Sequence, residues 1–314
     1  MNYLFLVNHG SGSEFMQCSI IRDFAKEHSN DKVYISAINK YFADMVEAEC
    51  DNVKSIDRNT IQPLFTQIMQ DKNNWTVYNP EVYQQPKFFL RLDNFYDAYR
   101  ELIGMKRLKD WSSAGSKYNP TLFVPADFEN AAKQFSEAHP KFILFQRKGG
   151  INPVSPREER IRAVNSPEVG LIRSWPMKES VKFVAEAKKL GYEVVQYKLP
   201  EEEGVDGAIF FSQDNNQLFY IALAKYAAAV VTIDSSLMHL AITNSPKTIV
   251  IWGQSASDKD DCRGFGYEKA INLFAKNYKP VSPYFNGMPD TPVIEMATAE
   301  EVIEQLSIFT PLLD

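Results

Sequence analysis

The chain is predicted to be an α/β protein of two doubly wound domains, and three observations predict it. Short apolar runs alternate with amphipathic helical stretches along the 314 residues, as parallel strands joined by helical crossovers require. That length suits about two domains of roughly 150 residues each. The alternation blurs after Asn79 and starts afresh at Lys141, which divides the chain into residues 1–138 and 139–314.

The first series opens with Leu4-Phe5-Leu6-Val7, a continuous apolar run of the kind a strand covered on both faces shows. Gly10 to Ser13 makes the turn, and Phe15, Cys18, Ile21 and Ala25 then recur at helical spacing. Val33 to Ile38 and Trp75 to Tyr78 read as further strands. Asn79-Pro80, Gln85-Pro86, Asn119-Pro120 and Val124-Pro125 punctuate the middle, with helices around Asn94 to Ile103 and Asp127 to Ala138. In the second series Phe142 to Phe145 is a strand. Trp175-Pro176 opens a helix that Gly191 caps. Strands follow at Glu193 to Tyr197, Ala208 to Phe211, Val230 to Ile233 and Thr248 to Trp252. Helices fall at Leu218 to Ala228, Leu237 to Thr243 and Ala299 to Ile308. Each half is therefore Rossmann-like.

Composition excludes several classes. With 45% hydrophobic and 24% charged residues the chain is globular rather than disordered. A net charge of −6 argues against a broad surface that neutralises nucleic-acid phosphates. Cys18, Cys50 and Cys262 form no Cys-x-x-Cys pair, so neither a disulfide framework nor a cysteine zinc site is expected. The N-terminus enters a strand with no basic leader or long apolar stretch, so a cytoplasmic protein with no membrane span is expected.

Ligands of open α/β sheets bind beyond the carboxyl ends of the strands. Asp234-Ser235-Ser236-Leu237-Met238-His239 follows one strand and starts a helix, whose unpaired amides and dipole favour an anion; simple helix capping by Asp234 or Ser235 is the alternative. Gly253-Gln254-Ser255 follows the next strand and lets a ligand approach the backbone. Gln146-Arg147-Lys148-Gly149-Gly150 puts two cations and two glycines at a third strand end, which suits a diphosphate. Arg173 stands at a further helix entrance. Four such loops in one domain point to a nucleoside diphosphate carrying a group to be transferred. Asp258-Lys259-Asp260 is read as a solvated charged loop, so no metal or other cofactor is expected.

These residues resemble the heptosyltransferase family of glycosyltransferases, glycosyltransferase family nine. Ala224 to Ser255 is similar to the family's stretch of strand, Asp-Thr-Gly-Leu-x-His-Leu, helix, strand and Gly-Pro-Thr loop: Asp234, Leu237, His239, Leu240 and Gly253 match, while Ser235, Ser236, Gln254 and Ser255 depart from it. Arg173-Ser174-Trp175-Pro176 resembles the family's Lys-x-Trp-Pro, with Arg173 at the phosphate-binding lysine. The resemblance implies a GT-B fold, two domains facing across a cleft, with the last helix packing back on the N-terminal domain. It also implies inverting, metal-independent transfer of a sugar from a nucleoside diphosphate sugar. The family's first turn carries Leu-Gly-Asp, whose Asp is taken as the catalytic base. Here Gly12-Ser13-Glu14 stands instead: an ungapped register puts Ser13 at the Asp position, and one inserted residue puts Glu14 there.

Glu14 is expected to act as the base because it is the only carboxylate in that turn, with His9 in support. Glu14 favouring the positive end of its helix is the alternative. The acceptor is a saccharide or, alternatively, a modified base such as hydroxymethylated viral DNA. Lys106-Arg107-Leu108-Lys109-Asp110-Trp111 motivates the latter by placing three cations beside an aromatic. A nucleotide-sugar-binding protein without catalysis is the third reading.

Overall fold

The computed structural model describes residues 1–89, 95–107, 124–149, 156–164, 174–211, 217–245, 247–253, 270–276 and 295–309. The chain divides into two compact units, Met1–Phe123 and Val124–Asp314. The division falls ahead of the one expected at residue 138. The helix Ala126–Ala138 (α6) belongs to the second unit, because Phe128, Ala132 and Phe135 are packed into that unit's core.

The N-terminal unit is built on four parallel strands, β1 (Asn2–Val7), β2 (Lys32–Ala37), β3 (Val53–Ser55) and β4 (Trp75–Tyr78), in the order β3-β2-β1-β4. The helices are α1 (Ser11–Glu27), α2 (Lys40–Glu49), α3 (Gln62–Gln70), α4 (Pro86–Phe89) and α5 (Phe95–Leu102). Alternation along β1 serves both faces of the sheet. Leu4 and Leu6 meet Ile61, Leu64 and Ile68 around α3. Tyr3 and Phe5 meet Phe24 of α1, with ring centroids 5.0 and 5.1 Å apart. The chain moves from β1 outward to β3 and then crosses to β4 on the other side of β1. The order therefore reverses between β1 and β4.

The C-terminal unit carries five parallel strands, β5 (Phe142–Phe145), β6 (Glu193–Gln196), β7 (Ala229–Ile233), β8 (Thr248–Trp252) and β9 (Ile271–Phe274), in the order β6-β5-β7-β8-β9. Its further helices are α7 (Arg157–Val164), α8 (Met177–Lys189), α9 (Gln217–Tyr226), α10 (Ser236–Asn244) and α11 (Ala299–Phe309). The expected strand Ala208 to Phe211 reduces to one parallel bridge, Ile209 to Val195. Ile209 uses both its backbone groups there, on Val194 and Gln196, and so extends the sheet by a single residue beyond β6. The order reverses here between β5 and β7. Ile143 and Phe145 face α8 and α11, whereas Phe142 and Leu144 face α6, α9 and α10.

Gly191 has φ +79, and the amides of Gly191 and Tyr192 return to Lys188 and Ala187, which closes α8 in the left-handed geometry that glycine accepts. Trp175 is fully buried, and its indole N–H donates to the Ala297 carbonyl at 2.7 Å. Thr298 and Glu301 form a reciprocal capping box at the start of α11. Val302 and Leu306 of α11 lie in the core of the C-terminal unit beside Phe183 and Val184 of α8. Val302 and Leu306 thus use one face of α11 within its own unit. Among the described residues no helix is long and apolar enough to cross a membrane.

Candidate functional site

The carboxyl ends of β5 and β7 flank the point where the C-terminal sheet reverses order, the place where doubly wound sheets form a crevice. Side chains join these two ends directly. Ser235 Oγ donates to Gln146 Oε1 and lies 3.2 Å from Thr232 Oγ1. Gln146 Nε2 in turn donates to the Lys148 carbonyl at 2.9 Å. Ser235 occupies the N-cap position of α10, yet its side chain makes no capping bond. The hydroxyl that would have closed the helix start is turned to the neighbouring strand, so simple capping by Ser235 is not what the structure shows.

Gly149 comes close to the same turn. A Cβ there would lie 3.1 Å from Ile233 Cδ1 and Ser235 Cβ and 3.2 Å from the Asp234 carbonyl, so any other residue would press the two loops apart by a few tenths of an ångström. Ser236 is half-buried beside Tyr197, whose hydroxyl also accepts a bond from Gln217 Nε2 at 3.0 Å and is pushed up to about 12 by burial. Leu237 is a core residue: its side chain packs with Phe142 and Leu144 beneath the site. Asp234 and His239 are half-buried on the same turn and helix, and Gly253 is buried at the end of β8.

Arg147 and Lys148 leave β5 on this edge. The Arg147 backbone carbonyl accepts the Trp175 N–H at 2.9 Å, and Arg147 Nη1 donates to the Trp175 carbonyl at 3.3 Å. Arg147 Nε is buried without a hydrogen-bond partner. Burial holds both cations below their ordinary range, which describes positive charge kept partly out of water. Facing them is Glu202, 7% exposed, in the loop after β6. Burial pushes its carboxyl up to about 7, against the opposing pull of Arg147 and Lys148. Lys198 Nζ holds this loop by donating to the carbonyls of Leu199 and Glu202.

The N-terminal sheet has a second polar cluster at its own reversal, between β1 and β4. Asn8 Nδ2 donates to Asn79 Oδ1 at 2.7 Å, and Arg58 donates to Asn8 Oδ1. His9 follows with φ 90; among the described residues it alone has positive φ without being glycine. That conformation costs about 1–2 kcal/mol for an L-residue. Its Nε2 is sealed from solvent and lies 2.7 Å from Glu81 Oε2, in a contact bent away from hydrogen-bond alignment. Its ring meets Tyr83 edge-on at 5.2 Å, and the Tyr83 hydroxyl is 2.6 Å from Ser13 Oγ.

Glu14 is placed differently from its neighbours. It is completely buried, and both carboxylate oxygens are engaged by the turn after β2. Oε1 accepts the Ile38 N–H at 2.7 Å; Oε2 accepts the Asn39 N–H at 3.0 Å and the Asn39 side-chain amide. Burial raises its carboxyl above the ordinary range, while these bonds and Arg58 pull the other way. A carboxylate so engaged clamps the start of α1 to the turn after β2.

The sequence matches no protein-family model and no curated protein. Similarity lies in the three-dimensional structure. The ADP-heptose lipopolysaccharide heptosyltransferase II of E. coli aligns over 98% of this chain and 98% of its own at 14% identity, with a TM-score of 0.58. A family nine glycosyl transferase from Veillonella parvula aligns over 98% of this chain and 96% of its own at 13% identity, with a TM-score of 0.59. The E. coli heptosyltransferase WaaC with ADP aligns over 98% and 97% at 10% identity, with a TM-score of 0.53. The chain has the fold of these glycosyltransferases.

Of the residues expected from sequence, Arg147, Lys148, Asp234, Ser235, Ser236 and His239 gather around the edge formed by β5, β7 and α10, and Gly253 ends β8. Arg173, Gln254 and Ser255 lie outside the described residues, as do Gly150, Asp258-Lys259-Asp260 and the Leu108 to Trp111 part of the basic run. Within that run Arg107 sits 3.1 Å from Glu101 and 4.0 Å from Asp97, so its charge is met by acids of α5. Sequence reasoning gave Gln146 no role of its own and passed over Glu202, Glu81 and Tyr83. Gln146 was visible as the first residue beyond a strand. Glu202 was hidden in a Glu-Glu-Glu run that reads as solvated charge.

Proposed function

We propose that this chain is a glycosyltransferase that moves a sugar from a nucleoside diphosphate to an acceptor hydroxyl, with inversion and without a metal. One observation carries the reading. At the reversal point of the C-terminal sheet, Ser235 is bonded across to Gln146 instead of capping α10, and the partly desolvated Arg147 and Lys148 stand on the same strand end. Helix-start amides and cations held out of water form an anion site that needs little reorganisation. The likeness to a heptosyltransferase with ADP supports a nucleoside diphosphate as the anion.

In the reaction, charge grows on the diphosphate as the bond to the anomeric carbon breaks. Arg147, Lys148 and the amides at the start of α10 meet that charge, with Arg173 as a further cation. The test is a thermal-shift series with ADP, UDP and GDP. A ligand present at 100 times its dissociation constant adds about 2.7 kcal/mol to the folded state. No shift with any of the three refutes the donor-site reading. Turnover that is lost in EDTA and restored by manganese refutes the metal-free part alone.

A further inference from the structure

We propose that His9 is the catalytic residue that accepts the proton from the acceptor hydroxyl, and that Glu81 is its positioning residue. The proposal rests on the glycosyl-transfer reading above. It starts from placement. His9 follows β1 and Glu81 follows β4, the two strands between which the N-terminal sheet reverses order. General topology puts the ligand crevice of such a sheet at that point. The pair is 72 positions apart in sequence, and only the β1–β4 pairing, Phe5 opposite Tyr78, brings it together.

The local geometry supports a base with a fixed orientation. A histidine at φ 90 holds a backbone conformation that L-residues avoid. Three contacts keep it there. Glu81 stands 2.7 Å from Nε2, the Tyr83 ring lies against the imidazole, and the Ser13–Tyr83 hydroxyl pair braces that ring. Nε2 is sealed from solvent. The imidazole is nevertheless 30% exposed, and Nδ1 has no partner among the described residues. The open nitrogen is therefore Nδ1. A carboxylate on the closed nitrogen favours the Nε2–H tautomer and leaves the Nδ1 lone pair available. The bent Nε2 contact is common for unliganded enzymes, whose catalytic bonds straighten when substrate binds. Glu14, by contrast, has both oxygens committed to the turn after β2.

The step balances without a further reagent. Nδ1 takes the acceptor hydroxyl proton as the acceptor oxygen bonds the anomeric carbon. The bond from that carbon to the diphosphate oxygen breaks, and its electron pair leaves with the nucleoside diphosphate. The imidazolium then returns its proton to solvent.

The test uses the full chain with ADP-heptose, UDP-glucose and GDP-mannose as separate probes and follows release of the nucleoside diphosphate. His9→Gly is the informative variant, because glycine accepts φ 90 and a folding defect is not expected. It should lower kcat about 10²- to 10⁴-fold, keep the nucleoside diphosphate thermal shift, and regain activity with added imidazole. Glu81→Gln should lower kcat about tenfold with an unchanged donor KM. In the wild type, ¹⁵N spectra should show neutral His9 protonated on Nε2. Undiminished release by His9→Gly, with the thermal shift intact, overturns the assignment and leaves the transferase reading standing. A neutral Nδ1–H tautomer also overturns it. No thermal shift and no release from any probe in the wild type overturns the transferase reading, and the role of His9 with it.

Discussion

Replacing Glu14 by glutamine separates a loop clamp from a catalytic base. In the wild type Oε1 receives the Ile38 N–H, and Oε2 receives two donors from Asn39. Glutamine keeps one acceptor oxygen, which serves Ile38. Its NH₂ then faces the Asn39 N–H and the Asn39 side-chain amide, donor against donor. Asn39 can turn its amide over, and its Nδ2 then donates to the Tyr41 hydroxyl, which now donates to Oδ1 at 3.2 Å. The Asn39 backbone N–H stays buried and unpaired in either case. One such group costs about 1–3 kcal/mol. Removing a buried carboxylate offsets part of this. The expected net loss is roughly 1–2 kcal/mol, or a fall in Tm of roughly 4–10 °C for a unit of this size.

The pH sign follows from the direction of the shift. Burial raises the Glu14 carboxyl in the folded chain, so the folded state holds the proton more tightly than the unfolded one. Wild-type stability then falls as pH rises from the unfolded carboxylate value through the folded one. The variant lacks that slope, and its deficit is largest in acid. Thermal melts from pH 4 to 8, with nucleoside diphosphate release measured beside them, check both points. An unchanged Tm together with a 10²-fold or greater loss of release would refute the clamp and make Glu14 the base.

Other perturbations test the donor edge. Ser235→Ala removes the donor to Gln146 Oε1 and should cost about 1–3 kcal/mol by leaving that oxygen unpaired, with weaker ADP binding by calorimetry. Gly149→Ala places a Cβ 3.2 Å from the Asp234 carbonyl; the forced separation should cost about 1–3 kcal/mol and lower nucleotide affinity, as denaturant melts and titrations would show. Arg147→Ala should weaken nucleoside diphosphate binding by about 1.5–3 kcal/mol, the scale of a hydrogen bond to a charged group; equal affinity would remove Arg147 from the site. Glu202 titrates at about 7 in the folded chain, so stability should decline as pH rises from about 4.5 to 7. Glu202→Gln should abolish that slope and be more stable at pH 8 by roughly 2–3 kcal/mol, measured by urea melts.

How much was legible depended on distance along the chain. Strands such as Phe142 to Phe145 and Thr248 to Trp252 were visible because burial on both faces makes them continuous apolar runs. β3 was missed because it is three residues long with Lys54 exposed at its centre. The parts of the proposed anion site were visible because they lie within a few residues of a strand end: Arg147 and Lys148 after β5, and Asp234 to Ser236 after β7. The Ser235–Gln146 bond, which turns those parts into one site, spans 89 positions. No local pattern encodes it. Glu14 shows the reach of the same limit. Its place in the first turn of a helix was read correctly, but its true partners, Ile38 and Asn39, become neighbours only once β2 lies beside β1.

The same reversal of strand order occurs in both sheets, and the two carry opposite chemistry. Beyond β5 the side chains that leave the sheet are the cations Arg147 and Lys148 with partly buried charge, which face the acids Glu202 and Glu203, and beyond β7 stand Asp234 and two serines. Unopposed, two adjacent cations partly removed from water would repel one another and destabilise the empty site. A nearby carboxyl that titrates at about 7 relieves that repulsion when ionised, and when protonated it does not compete for the cations with an arriving diphosphate. Beyond β1 and β4 the groups are amides, hydroxyls and a histidine beside a carboxylate, with one cation, Arg58, engaged on the Asn8 amide oxygen. Those groups suit a hydroxyl that must lose a proton better than they suit a dianion. A diphosphate is bound by charge, which neighbouring residues supply together; a proton is moved by alignment, which needs groups from separate strands. That difference in physical demand is why the proposed diphosphate site is readable in short segments and the proposed proton-transfer site only in the fold.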